Sequence, residues 1–253
     1  MHFGSVNSRR TIDGPKALQS MDGTTLSWEV SKEYSARVPD SVALETRAGS
    51  IRFNYIEALS NVSLLSSAGG IHHSGTRSQI KADSVKVKAN AGSIDGTYRV
   101  IDKLDLYASA GSVRVEVLLP GKQTSSFRST ADEDSYEQSS PHVMARSNAG
   151  SVHVRYTEQH PSVELHSDVA SRAGTTEVQH APNYQGTFHL ASGAGSIHMS
   201  VDDQVKRCKT TVDRKRPAGG LIEGEVWIER EDGWSKKGSS SVVTDAGSVK
   251  VYL

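Results

Sequence analysis

Apolar and polar residues alternate in short runs along this chain, and each run breaks at one recurring phrase. The copies are TRAGSIRF ending at Phe53, SSAGGIHH at His73, NAGSIDG at Gly96, SAGSVRV at Val115, SNAGSVHV at Val154, SRAGTTEV at Val178, GAGSIHM at Met199 and DAGSVKV at Val251. A weak copy, FGSV, stands at Phe3 to Val6. The glycine of each full copy serves as a marker: Gly49, Gly69, Gly92, Gly111, Gly150, Gly174, Gly195 and Gly247. Seven and five residues before the marker stand apolar pairs such as Val42 and Leu44, Val62 and Leu64, Val85 and Val87, Leu104 and Leu106, and Phe188 and Leu190. A small residue lies three before it, and alanine immediately before it. An apolar residue usually follows two places after it, and often another four places after it. Period-two alternation marks a strand with one buried face. At the glycine the inward positions change parity, as they do at a bend or bulge. Each copy therefore predicts a strand, a tight corner and a second strand.

The markers are separated by 20, 23, 19, 39, 24, 21 and 52 residues. Most steps are near 20, the 39 step reads as two units, and the 52 step as two units with an added loop. One unit buries too few apolar side chains to offset the cost of ordering its backbone, so the units must stack. The expected architecture is all-β: a single-domain β-solenoid over residues 1–253, with turns of about 20 residues rising ~4.8 Å each. A β-sandwich also offers short alternating strands, but has no reason to repeat AGS at every corner. Two loop-rich segments interrupt the rhythm. Residues 119–141 read as a degenerate turn with a loop. Residues 202–240 read as an insertion with a strand or hairpin around Val226 to Ile228, and Trp227 and Trp234 as core or cap residues. No window sustains a helical apolar face.

Composition narrows function by exclusion. With 29 basic and 29 acidic residues the chain has no net field to draw nucleic acid or an anionic membrane. The lone Cys208 rules out an internal disulfide and a cysteine-rich zinc site. The opening MHFGSVNSRR lacks the apolar stretch of a signal peptide, and no run is long enough to insert directly in a membrane.

Three places after each marker the side chain should point outward. There stand Arg52, His72, Asp95, Arg114, His153, Glu177, His198 and Lys250. Stacked, they predict a ladder in which Arg52, His72, Arg114, His153, His198 and Lys250 bind an anionic polymer or glycan, more tightly as the histidines protonate. The plainer reading is a solvated face. The serine after most markers recurs too often to be a nucleophile, and its hydroxyl suits a backbone hydrogen bond. The acidic groups Asp132, Glu133, Asp134 and Asp202, Asp203 lack calcium-loop spacing. The histidines make no HExxH pattern, so neither a metal nor another cofactor is expected. The basic run Lys206 to Arg216 has no interleaved aromatics and reads as a solvated loop. Asn61-Val62-Ser63 is a glycosylation sequon with Asn61 facing outward.

The small-x-A-G-S-[IV] corner between alternating strands, matching from about Val42 to Val251, resembles the adhesin domain family found in many bacterial and fungal proteins of unknown function. The resemblance implies a β-solenoid, often part of a larger and sometimes membrane-anchored protein, and carries no catalytic residues. The expected function is thus non-catalytic: a repetitive wall that binds a cell-surface or cell-wall glycan or protein. Its location would be the cell surface if the chain is part of a larger adhesin-like protein, and the cytoplasm otherwise. The alternative is a self-assembling scaffold, stacking end to end as bactofilin filaments do. It rests on DAGSVKVYL, which ends the chain on a strand and predicts an uncovered end turn. A polysaccharide-active enzyme would need paired carboxylates in a deep pocket.

Overall fold

Each of the eight full copies of the phrase folds as a strand, a glycine corner and a second strand in the computed structural model, which describes residues 16–21, 26–28, 38–73, 79–123, 136–202, 206–215, 219–228 and 238–253. All helices and strands among these residues are strands. The weak copy at Phe3 to Val6, Asp132 to Asp134, Asp203 and Trp234 lie outside the described residues.

The strands before the corners form one parallel ladder, the first wall. It runs through Lys16–Met21, Ser41–Thr46, Asn61–Ser66, the later part of Gln79–Ala91, the later part of Ile94–Ala110, His142–Ala149 and His166–Ala173. The strands after the corners form a second wall. It runs through Leu26–Trp28, Ile51–Phe53, Ile71–His73, the start of Ile94–Ala110, Val113–Leu119, Val152–Gln159 and Thr176–Gln179. A shorter third ladder joins Tyr55–Glu57, the start of Gln79–Ala91 and the middle of Ile94–Ala110. Registers hold residue for residue, so the apolar pairs seven and five before each marker stack in columns, and all ten named above are at least 95% buried. Stacking like on like supplies what one unit lacks: backbone partners on both sides and a continuous core.

The corner explains the phrase. All eight marker glycines have φ between +110° and +148°, a region that side chains disfavour. They also touch: a Cβ on Gly174 would lie 2.6 Å from the carbonyl oxygen of Gly150, and the other markers after the first meet the preceding corner's carbonyl in the same way. The small residue three before the marker turns its hydroxyl to that carbonyl. Ser171 donates to Gly150 O at 2.8 Å, Ser147 to Gly111 O at 2.8 Å and Thr244 to Gly174 O at 3.1 Å. The hydroxyl after the marker does different work, since Ser50, Ser93 and Ser151 accept the amides of Gly70, Ser112 and Thr175 on the next copy. Because Ala89 and Ala108 hold the Ser171 position in two copies, Ser171→Ala should cost only about 1 kcal/mol, measured as a fall in the urea midpoint without loss of the native circular dichroism. A much larger loss would show that the hydroxyl carries the corner.

Three expectations are corrected. First, the 39-residue step is one unit and not two: Gly111 donates directly to Ala149 O, and His142–Ala149 pairs with Ile94–Ala110. Among the described residues no further copy therefore stands between these two corners, and the ends of the 119–141 segment meet in a small hairpin of Lys122–Gln123 and Tyr136–Glu137.

Second, the last copy does not lie at an end. Ser239–Ala246 pairs with His166–Ala173 on one side and Gly186–Ala194 on the other, and Val249–Tyr252 lies between Thr176–Gln179 and Ile197–Ser200. The final strands thus slot between the Gly174 and Gly195 copies. The link from Gln179 to Gly186 needs to step over only one intervening strand, ~10 Å, which a few extended residues span.

Third, the 52-residue step is one unit with an insertion, and its basic run is a strand and not a loop. Lys206–Lys215 pairs antiparallel with Gly220–Ile228, which pairs antiparallel with Gly186–Ala194. The expected hairpin is present, and it extends the first wall two strands beyond the Gly195 copy. Trp227 is half-buried on it.

Candidate functional site

The outward positions three after each marker fall on one line of the second wall. Paired registers set the order Arg52, His72, Asp95, Arg114, His153, Glu177, Lys250, His198. Chain order would have placed Lys250 last; the inserted copy moves it before His198. In spatial order the ladder has a three-rung motif, cation, histidine, carboxylate, present twice and begun a third time.

The motif has internal bonds. His72 Nδ1 lies 2.7 Å from Asp95 Oδ2, and His153 Nδ1 lies 3.5 Å from Glu177 Oε2. Arg114 stands on the rung between Asp95 and His153. The third histidine, His198, meets Tyr252 edge-on with ring centroids 6.4 Å apart. One irregularity of the sequence follows from this geometry. Gly70 stands where other copies carry serine or threonine, and a Cβ there would collide with His72 Nε2. The second outward row adds Thr97, Glu116, Arg155 and Gln179, with Arg155 Nη1 3.9 Å from Glu116 Oε1. Between the rows runs a trough of about 770 Å³, open to solvent, from His72 to Gln179.

The ladder is therefore mixed in sign and not uniformly basic. Its cations Arg52, Arg114 and Lys250 recur every third rung, ~14 Å apart, with Asp95 and Glu177 between them. Side chains of the paired residues are about one-third exposed, so these contacts order the ladder more than they stabilise the fold.

Sequence reading missed a buried polar cluster. The His180 ring stacks on Tyr184 at 4.0 Å and on Tyr156 at 5.3 Å between centroids. Its Nε2 lies 2.9 Å from Ser240 Oγ, and Tyr156 Oη lies 2.7 Å from Ser167 Oγ. Ser167 and Ser240 are ladder neighbours, whereas His180 follows the repeat and no spacing rule reaches it. On the third ladder Lys81 and Tyr55 both donate to Glu57, each at 2.7 Å. The Lys81 hydrogen bond is the main cause that holds the Glu57 carboxyl below its ordinary value, while burial, then Glu57, pushes the Tyr55 phenol up to about 12. The sequon's Asn61 is exposed, as expected.

Among the described residues no group of three or more His, Cys, Asp or Glu is arranged to hold a metal ion, and no helix is long and apolar enough to cross a membrane. No curated protein and no solved structure matches the chain. Residues 99–253 match a family model, from the strand leading into the Gly111 corner through the antiparallel hairpin to the inserted last copy. On that match the chain belongs to the family described as Domain of unknown function (DUF7330).

Proposed function

We propose that the protein is a non-catalytic, adhesin-like β-solenoid whose second wall binds a cell-surface polymer. The observation that supports this most is the ladder itself: one chemical motif recurs at fixed intervals along the second wall, a pattern suited to a ligand that also repeats, and the open trough borders its middle rungs from His72 to Glu177. Titratable groups are spread over successive rungs along the wall, an extended arrangement that favours binding over catalysis. The interleaved carboxylates favour a glycan with separated charges, since a densely charged polyanion would meet Asp95 and Glu177 as well as the cations.

The test is binding to hyaluronan, with one carboxylate per disaccharide, and to polygalacturonate, with one on every sugar. Hyaluronan should bind more tightly, and added salt should weaken the interaction. Neutralising Arg52, Arg114 and Lys250 together to glutamine should lower the affinity roughly tenfold, because exposed charges contribute up to about 1 kcal/mol each. Unchanged binding in a variant that melts like the parent would sink the ladder reading. An end-to-end scaffold has less support, because the hairpin makes the terminal face stepped and a copy stacked in line would not meet both walls.

A further inference from the structure

At the end of the stack that carries the Gly195 copy, the two walls stop at different heights. The first wall continues through Gly220–Ile228 and Lys206–Lys215, whereas among the described residues the second wall ends with Ile197–Ser200, which pairs on one side only. The step is two strands deep, ~10 Å. Core columns that are sealed elsewhere open here. Inward residues two and four after the marker are at least 97% buried in the copies from Ile51 and Phe53 to Val249 and Val251, leaving aside the third copy's glycine and His73. Ile197 and Met199 are only partly buried, as are Val201 and the hairpin's Cys208.

The two edges are also protected differently. Lys206–Lys215 has Arg207, Lys209 and Arg214 and a register shift between Thr210 and Val212. Lysines and bulges are ordinary defences of an edge strand against indiscriminate pairing. Ile197–Ser200 has no lysine, proline or register shift. Its open side asks for two more strands, and a two-stranded element is what the hairpin provides.

We infer that a second copy of this chain covers the step, forming a closed twofold dimer. A twofold axis through the glycine corner, bisecting the two walls, exchanges one copy's first wall with the other's second wall and keeps both cores facing inward. Each hairpin then fills the other copy's step. Lys206–Lys215, antiparallel to a strand that is itself antiparallel to Gly186–Ala194, runs towards the corner, and the strands of the second wall run away from it. Lys206–Lys215 of one copy therefore meets Ile197–Ser200 of the other antiparallel, and both walls continue through the dimer. The contact is isologous and closes on itself, unlike open-ended stacking, and it does not depend on what the ladder binds.

Light scattering on a size-exclusion column across a concentration series should give a limiting mass of about twice 27.2 kDa. Met199→Asp puts a charge on an inward edge position level with Asp213 of the other copy, and should raise the dimer dissociation constant by roughly a hundredfold or more with the circular dichroism spectrum retained. In a Cys208→Ser background, Met199→Cys combined with Asp213→Cys, positions that the paired registers set level with each other across the axis, should form an intermolecular disulfide under mild oxidation, and neither substitution alone should do so. A fixed monomer, a mass that grows without limit, or a dimer indifferent to Met199→Asp with no cross-link from Met199→Cys combined with Asp213→Cys would each overturn the proposal.

Discussion

Gly174→Ala should lower the melting temperature by at least about 10 °C, an effect far larger than Ser171→Ala three residues away. Two independent costs meet at this position. The backbone φ of +142° is strained for any residue with a Cβ, at about 1–3 kcal/mol. The added methyl would also lie 2.6 Å from Gly150 O and 2.7 Å from its carbon, and that obstacle is backbone. A flexible side chain could turn away; a ladder rung moves only by parting from its neighbour. Gly150 and Gly174 are joined through Gly150 N to Ala173 O, and Gly174 continues to Ala246 O, so relief of the clash strains bonds on both sides. Together these should exceed about 4 kcal/mol, the range reserved for named structural faults, and a chain of this size loses roughly 2–4 °C per kcal/mol. Thermal melts by circular dichroism decide it. A shift of only a degree or two would mean that the corners yield independently, and that glycine is there for turn geometry alone.

Raising the pH well above 10 should unfold the protein in one cooperative step. Tyr98, Tyr156 and Tyr184 are at least 98% buried, and burial is the first cause that raises each phenol above its ordinary value. The nearby Asp95 charge raises Tyr98 further, and the Ser167 hydrogen bond opposes the rise at Tyr156. These groups hold their protons more tightly folded than unfolded. Stability is thus intact below the unfolded value near pH 10, and is lost as pH rises beyond it, because only the unfolded chain can ionise. Each phenol contributes about 1.4 kcal/mol per pH unit, so three remove about 4 per unit. Against the usual 5–15 kcal/mol of a folded domain, unfolding falls about 1–4 units above pH 10. Tyrosinate absorbance of the three should appear together with loss of the β-sheet signal. Tyr98→Phe should leave neutral-pH stability unchanged or improved, since the Tyr98 hydroxyl is buried without a hydrogen-bond partner, and should shift the alkaline midpoint upward. Phenolate absorbance that grows while the sheet signal stays native would contradict this account.

The corner, the alternation and the outward ladder were legible because each depends on residues close in the chain. A glycine with its alanine, a small residue three before it and apolar positions at fixed offsets are local requirements that every copy must meet afresh. Repetition therefore shows them plainly. Even Gly70, which breaks the rule, answers to His72 two residues away. The ladder's membership was visible for the same reason, and its carboxylates Asp95 and Glu177 were on the line from the outset.

What lay beyond the sequence was adjacency between copies. The alternation states that each strand wants a similar neighbour, but copies with one pattern compete equally for a place, and a long connection leaves the choice open. Residues 202–238 allow the last copy to return between the Gly174 and Gly195 copies, and only tertiary pairing records that it does. That one choice sets Lys250 before His198, turns a list of charges into a repeated motif and takes DAGSVKVYL away from the end of the stack. The His180 sandwich and the stepped terminal face are of the same kind, since both arise from segments outside the repeat. The sequence by itself determined the strand, the corner and which face each side chain takes, because these are short-range sterics and alternation. The order of the copies, and hence the face offered to a partner, was decided only by the tertiary structure, where hydrogen-bonding edges choose among near-equivalent neighbours.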